Sequence, residues 1–506
     1  MNLARLNEEK TLNKPGWVKI IYEDHEITNT EIVHQQRKLA AVLKNLGVRQ
    51  GDRIIIQTPN CPEALYAFSA AWRLGAVIVP VNHLISDDET VHIYRDSGAK
   101  IVIGSRIYLL KLLACKARVP DVQTIILIED DADDADDAPE SMYSYHTLVD
   151  AISEEKSITD TADDDIAALI YTAGTTGKSK GVIHTHGTLY ASASSAHQTG
   201  PPTDGMTYIS ILPLCHSYGI AILNMGLFRL TRMVLLNAFD LNVIFSSIEK
   251  YSGNILAAVP TMYVYMLMYP KPKKYNLSSM KYWICGSAPL SVETWNQFKE
   301  MYGFEISEGW GLTEAGAANS INPILGLKKV GSIGLPMKGS EMAIADDFGK
   351  QLPAGEKGEI VIRGPQIMKG YWNRPQETAK AIRDGWLHTG DVGYMDTDGY
   401  YWITDRKKDL IIKGGENISP RTIEDVLDRC PGVSEAAVIG VKDEKYGEEI
   451  KAFVVLHPGE KASADEVLDF CRTRLNSFLM PKYIVFLDAM PRNLPGKILK
   501  SALREM

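Results

Sequence analysis

Apolar positions in the first hundred residues alternate between two periods. From Ile32 to Leu46 they recur at helical spacing, and Asp52-Arg53-Ile54-Ile55-Ile56-Gln57 then reads as a strand. Glu63 to Leu74 returns to helical spacing before the buried strand Val77-Ile78-Val79-Pro80-Val81. This alternation predicts a layered α/β domain with parallel strands. After Gly358 the texture changes. Glu359-Ile360-Val361-Ile362-Arg363, Gly393-Tyr394-Met395-Asp396 and Tyr400-Tyr401-Trp402-Ile403 read as short strands between glycine turns, which predicts a β-rich subdomain. From Asp405 onward the chain is lysine-rich. Strands over 434–441 and 451–456 with a helix over 464–475 then predict a separate α+β domain of about a hundred residues. No internal repeat is visible.

One apolar stretch calls for a decision. From Gly205 to Phe228 there is no Asp, Glu, Lys or Arg, and roughly 20 apolar residues cross a bilayer. Pro213, His216, two serines, Asn224 and three glycines interrupt it, so a strand from Tyr208 to Leu212 and a buried helix are expected instead. The acidic run from Glu129 to Asp137 reads as a solvated loop rather than a metal site.

The chain has 506 residues, more than one ordinary core holds, so two or more domains are expected. A net charge of -9 and a pI near 5.7 argue against a general nucleic-acid binder. The six cysteines show no CxxC pairing, so neither a zinc site nor a disulfide framework is expected. The first ten residues lack the apolar core of a signal peptide. A reducing, cytoplasmic setting without an integral membrane segment is expected.

The densest chemistry follows the apolar run Ile166-Ala167-Ala168-Leu169-Ile170, itself a predicted buried strand. Tyr171-Thr172-Ala173-Gly174-Thr175-Thr176-Gly177-Lys178-Ser179-Lys180-Gly181 crowds three glycines, three threonines and two lysines into one turn. Glycines let backbone N–H groups converge on an anion, hydroxyls add neutral donors and lysines add charge, so the loop suits a polyphosphate. A Walker loop needs a glycine five residues before its Gly-Lys pair, and Thr172 stands there.

The segment instead resembles the phosphate loop of the adenylate-forming superfamily, which contains acyl-CoA synthetases, luciferases and peptide-synthetase adenylation domains. The usual form there is Tyr-Thr-Ser-Gly-Thr-Thr-Gly-x-Pro-Lys-Gly, and this chain departs from it at Ala173 and Ser179. Further matches follow in family order. Gly286-Ser287-Ala288-Pro289 is similar to the turn that supports adenine. Glu308-Gly309-Trp310-Gly311-Leu312-Thr313-Glu314 offers a ring for stacking, a hydroxyl for a phosphate oxygen and a carboxylate for Mg2+. Asp391 matches the aspartate that accepts both ribose hydroxyls, and Arg406 a nucleotide contact. Lys408 stands at the hinge position, followed by the CoA loop Lys413-Gly414-Gly415-Glu416. Lys497 lies in Pro491-Arg492-Asn493-Leu494-Pro495-Gly496-Lys497-Ile498, the segment whose lysine bridges the substrate carboxylate and ATP.

The resemblance implies a large N-terminal adenylation domain over 1–405 and a small mobile C-terminal domain over 406–506. It also implies two half-reactions: a carboxylic acid and ATP give acyl-AMP, and CoA then takes the acyl group. Thr172, Gly174, Thr175, Thr176, Gly177 and Lys180 would hold the leaving phosphates. Lys497, Thr313, Glu314 and His216 would be the catalytic group, with Mg2+ on Glu314. Leu212-Pro213-Leu214-Cys215-His216-Ser217-Tyr218-Gly219 matches the border of the acid pocket, so His216, Tyr218, Gly219, Met262, Gly286 and Gly311 are expected to line it.

Segment 322–336 looks most like fatty acyl-CoA synthetases. Ile220 replaces the gating tryptophan of some long-chain relatives, so an ungated pocket for a medium- or long-chain acid is expected. An aryl acid stays open, because Met262, Tyr263 and Tyr218 would sandwich a ring. Loading of a carrier protein in trans also stays open, since no carrier segment follows Lys500 in the sequence. Retention of Lys497, Glu314 and Asp391 argues against a silent binding homologue. Homodimerisation is left open.

Overall fold

Thr28 starts the first predicted helix with a capping box: its hydroxyl accepts from the Glu31 amide, and the Glu31 carboxylate accepts from the Thr28 amide. The helix runs Asn29–Asn45, and the strand Arg53–Gln57, the helix Pro62–Arg73 and the strand Val77–Pro80 follow as the periodicity predicts. In this computed structural model the described residues are all but 107, 109–115, 130–141, 173–177, 202–203, 226–227, 270–273, 408 and 493–497.

Among the described residues the strands form four sheets. The first sheet has a parallel centre in which Val77–Pro80 is flanked by Arg53–Gln57 and Ile166–Thr172. Lys180–Thr185 folds back antiparallel on Ile166–Thr172, with Thr172 opposite Lys180. The second sheet is also parallel at its centre, where Ile306–Trp310, Tyr282–Cys285, Ile255–Ala258, Thr207–Ser210 and Arg232–Leu235 lie side by side. Its far edge is built from the distant N-terminal strands Val18–Tyr22 and His25–Thr28.

The β-rich part is an antiparallel sheet of Glu341–Ala345, Gly358–Arg363, Trp386–Met395, Ile382–Arg383 and Tyr401–Arg406. Two strands here exceed their expected length. The predicted strand over 393–396 is the end of Trp386–Met395, and Tyr401–Arg406 pairs with it across a register shift between Val392 and Gly393. A Cβ on Gly393 would stand 2.0 Å from the Trp402 carbonyl oxygen, so this approach requires glycine.

The fourth sheet is the small domain's own. Val433–Asp443 and Gly447–Leu456 pair antiparallel, and Ile411–Lys413 and Tyr483–Phe486 flank Gly447–Leu456. Ile411, Val438, Ile450, Val454 and Val467 share a core separate from those of the large domain. Residues 407–410 connect the third and fourth sheets, and the expected hinge residue Lys408 lies outside the described residues.

The uncharged stretch over 205–228 gives the strand Thr207–Ser210 and the nine-residue helix Ser217–Met225. No helix among the described residues is long and apolar enough to cross a membrane. Ile220, at the position of the gating tryptophan, is 1% exposed and belongs to the same core as Leu214 and Leu235.

Candidate active site

The parallel strands Tyr282–Cys285 and Ile306–Trp310 are in register at Cys285 and Glu308, so the turns that leave them lie side by side. Open α/β sheets bind ligands at such carboxyl ends. Ser287 takes a left-handed backbone with φ 71°, which bends the first turn sharply. In the second turn a Cβ on Gly311 would fall 2.0 Å from the Ala317 carbonyl oxygen, so only glycine fits. Both turns face a cavity of about 460 Å³.

Of the residues singled out in the sequence, Thr172, Lys180, His216, Tyr218, Gly286, Ser287, Gly309, Trp310, Gly311, Thr313, Glu314 and Arg406 line this cavity. Its charged side chains are Lys180, Glu314, Arg406 and Lys407, with the imidazoles of His216 and His388 also in the wall. Trp310 Nε1 donates to Asp391 Oδ2 at 2.9 Å, and Arg406 Nε meets Asp391 Oδ1 at 2.8 Å. Asp391 is 2% exposed, sits behind Trp310 and Arg406 and is not among the residues lining the cavity.

Glu314 Oε1 accepts from the Tyr371 hydroxyl at 3.0 Å, and its Oε2 has no hydrogen-bond partner among the described residues. Lys180 pairs with Glu377 and lies 5.3 Å over the Tyr371 ring. Thr313 is held from two sides, because its hydroxyl is 2.9 Å from Ser217 Oγ and its carbonyl oxygen is 2.8 Å from His184 Nε2.

The apolar part of the wall is made mostly of small side chains: Ala196, Ala221, Ala257, Ala317, Ala318, Ile284, Ile321 and Met337 contribute with Tyr208 and Tyr218. Tyr218 stands against Gly286, where an added Cβ would be 3.3 Å from the ring. Burial lowers the His216 imidazole to about 4, and its Nδ1 accepts from the Tyr218 amide at 3.2 Å.

Several expected residues are placed away from the cavity wall. Glu308 is 6% exposed and braces the neighbouring turn by accepting from the Leu290 amide at 3.0 Å. Burial pushes its carboxyl up to about 7. Met262 packs behind Tyr218, and Gly219 lies where a Cβ would meet the Pro213 carbonyl oxygen at 2.2 Å. Ala288 is not among the lining residues. Gly174, Thr175, Thr176, Gly177 and Lys497 lie outside the described residues.

In the small domain, Gly414 and Gly415 form a two-residue hairpin turn at φ 58° and 87°, followed by the exposed Glu416. Lys413 points inward. It is 6% exposed, pairs with Glu449 at 2.5 Å and donates to the Phe478 carbonyl at 3.1 Å, so its ammonium supports the loop from below in this arrangement. Arg492 reaches the large domain at Thr261 Oγ1, 3.2 Å away, which brings the start of the Lys497 segment against the helix Pro260–Met268.

A family model described as AMP-binding enzyme matches residues 7–372, and one described as AMP-binding enzyme C-terminal domain matches residues 422–497. The chain belongs to the AMP-binding enzyme family. This AMP-binding enzyme is 36% identical to a long-chain-fatty-acid–CoA ligase of Bacillus subtilis, over 97% of this chain and 92% of that one. It is 35% identical to a feruloyl-CoA synthase of an Amycolatopsis species, over 99% of this chain and 96% of that one. Among solved structures it matches ATP-bound MatB from Rhodopseudomonas palustris with a TM-score of 0.91 at 33% identity, covering 100% of this chain and 99% of that one. The apo form of the same protein matches with a TM-score of 0.78.

In this AMP-binding enzyme, positions to which the sequence assigned no role hold the expected site residues. His184, Ser217 and Tyr371 hold Thr313 and Glu314, while Glu359 accepts from the Gly390 amide and meets His388 Nδ1 at 3.0 Å. His184, Glu359 and Tyr371 carry no local motif.

The buried His216 supplies a pH test. Its folded value lies below the ordinary imidazole value, so the folded enzyme keeps it neutral and protonation between about pH 6.5 and 4 favours unfolding. Adenylation measured by pyrophosphate exchange should therefore show no His216 ionisation between pH 5 and 8. His216→Gln should change the height of the profile and leave its shape. An acid limb near pH 6.5 that disappears in His216→Gln would contradict a neutral imidazole.

Proposed function

We propose that this enzyme activates a monocarboxylic acid with an apolar, medium- or long-chain aliphatic group as its acyl-adenylate and passes the acyl group to CoA. The observation that carries the acid assignment is the apolar part of the cavity wall, where Tyr208, Tyr218, Ala257 and Ile284 pack together and further alanine, isoleucine and methionine side chains complete the lining. A second carboxylate against these side chains would be buried without a partner, which is costly. The identity to a long-chain-fatty-acid–CoA ligase supports the same reading.

The chemistry falls to positioning and charge, with no covalent enzyme nucleophile. A substrate carboxylate oxygen attacks the α-phosphorus of ATP, the bond to the bridging oxygen breaks, and pyrophosphate leaves. Trp310 and the Gly286-Ser287-Ala288 turn would hold the base, Asp391 and Arg406 the ribose side, and Thr172 and Lys180 the departing phosphates. Lys180 would exchange Glu377 for phosphate oxygens. Thr313, fixed by Ser217 and His184, would meet the α-phosphate.

Glu314 fits Mg2+, which takes one or two carboxylates with phosphate oxygens, because one of its oxygens is oriented by Tyr371 and the other has no partner among the described residues. Bound there, the ion would neutralise charge on the phosphates. In the second half-reaction the CoA sulfur attacks the acyl carbon and gives up its proton, and AMP leaves. The Gly414-Gly415 turn would let pantetheine pass, and rotation near Lys408 would bring it to the site. The two TM-scores to MatB support such rotation, since one relative differs from this chain by an amount that depends on its own state.

An aryl acid is the second reading. Tyr208 favours it, because its buried hydroxyl lies near the Ala257 amide, makes no hydrogen bond of ordinary geometry and could serve an oxygenated ring.

Pyrophosphate exchange over medium- and long-chain acids, hydroxycinnamic acids and dicarboxylic acids, followed by CoA addition, tests the reading. Aliphatic monocarboxylic acids should give the largest kcat/KM, with dicarboxylic acids of equal length down by about a hundredfold or more. Preference for a hydroxycinnamic acid would select the second reading, and exchange without thioester formation would reject CoA as acceptor. Lys497→Ala should lower exchange by about 10²–10⁴ while preformed acyl-AMP still reacts with CoA. Equal loss in both halves would make Lys497 structural.

A further inference from the structure

Where the family loop usually carries proline, this chain carries Ser179, and the backbone there makes a contact that proline could not make. The Ser179 N–H donates to Glu89 Oε1 at 3.2 Å, and the Ser179 carbonyl oxygen is 2.9 Å from His92 Nε2. On the same helix, Asp96 Oδ2 accepts from the Tyr171 hydroxyl at 2.8 Å. Glu89, His92 and Asp96 are spaced i, i+3 and i+7 on Asp87–Ser97 and therefore share one face. Tyr171 precedes residues 173–177 and Ser179 follows them, so a single helical stripe holds the chain on both sides of the phosphate loop.

The helix is well anchored for this. Ser86 caps its start, Gly98 ends it at φ 60°, and Val91, Ile93 and Tyr94 are buried, with the Tyr94 hydroxyl on Gln57 at 2.7 Å. Asp96 also takes Arg374 Nη2 at 2.9 Å, and its carbonyl takes Trp372 Nε1 at 2.9 Å. The stripe is thus continuous with the segment that carries Tyr371 and, through it, Glu314.

We propose that this stripe braces the phosphate loop, with Glu89 as a positioning residue whose bond to the Ser179 amide supplies the restraint that proline supplies in relatives. Proline limits a loop by fixing φ near −65° and narrowing the states open to the chain. A hydrogen bond from a rigid helix narrows them from outside. Glu89 is not among the residues that line the cavity. Its negative charge beside a phosphate loop would by itself weaken ATP binding, so a favourable effect of Glu89 on ATP has to come through loop position.

The inference rests on the reading that the loop holds ATP phosphates, and direct binding tests it apart from the identity of the acid. Calorimetric Kd values for ATP with Mg2+, and for AMP, are measured on the full chain in five forms: wild type, Glu89→Ala, Glu89→Gln, Ser179→Pro and the Glu89→Ala/Ser179→Pro double variant. Glu89→Ala should weaken ATP by about tenfold, the worth of one hydrogen bond to a charged group, and leave AMP, which lacks the outer phosphates, within about twofold. In the Ser179→Pro background the same change should cost less than about twofold, because proline has removed the N–H and restored the restraint. Glu89→Gln keeps an acceptor and should stay near wild type.

Equal cost in both backgrounds, equal loss for AMP and ATP, tighter ATP binding by Glu89→Ala, or a Gln variant as weak as the Ala variant would each overturn the brace. Failure of the wild type to bind ATP would overturn the functional reading beneath it.

Discussion

The site is organised around one buried carboxylate. Asp391, 2% exposed, takes a hydrogen bond from Trp310 on the second sheet and an ion pair from Arg406 on the neighbouring strand of the third. A carboxylate so deeply buried is tolerable only when paired. Its partners stand at the end of the parallel strand Ile306–Trp310 and at the last residue before the connection to the small domain. The same contact therefore fixes the aromatic wall of the cavity and the point from which the small domain departs.

Around this joint the cavity wall combines charged and apolar side chains. Two of its cations are already committed to carboxylates, Lys180 to Glu377 and Lys407 to Glu359 and Asp347. A triphosphate would replace protein carboxylates as the partner of these cations. The apolar lining would give an acyl group area to bury, while the charged groups would supply orientation. His216, kept neutral by burial, is an uncharged part of the wall and would add no counter-charge for a carboxylate.

Local spacing made the ligand-facing groups readable. The phosphate loop and the Glu308–Glu314 segment are contiguous strings whose residue types state their chemistry, and the structure brings Thr172, Lys180, Trp310, Thr313 and Glu314 to one cavity. Their supports were unreadable because they come from far away in sequence: Tyr371 is 57 residues from Glu314, Ser217 is 96 from Thr313 and His184 is 129 from it. The parallel layers in the first third follow from periodicity, whereas the assignment of Val18–Tyr22 to the second sheet depends on pairing with Arg232–Leu235. Lys413 shows the limit of a motif: its inward turn depends on Glu449, which no spacing rule connects to it. Ser179 shows the reverse, a departure from the motif that acquires meaning only once the facing helix is seen.

Asp391 is the structural joint and the proposed ribose acceptor, and nucleotide discrimination separates these roles. Calorimetric Kd values for ATP, 2′-deoxyATP and 3′-deoxyATP are compared between the wild type and Asp391→Asn. The wild type should prefer ATP over either deoxy analogue by about tenfold, the worth of a hydrogen bond to a charged acceptor, and Asp391→Asn should bind all three with nearly equal affinity. A variant that weakens all three while keeping the wild-type preference would show that Asp391 only holds Trp310 and Arg406, and would contradict the account.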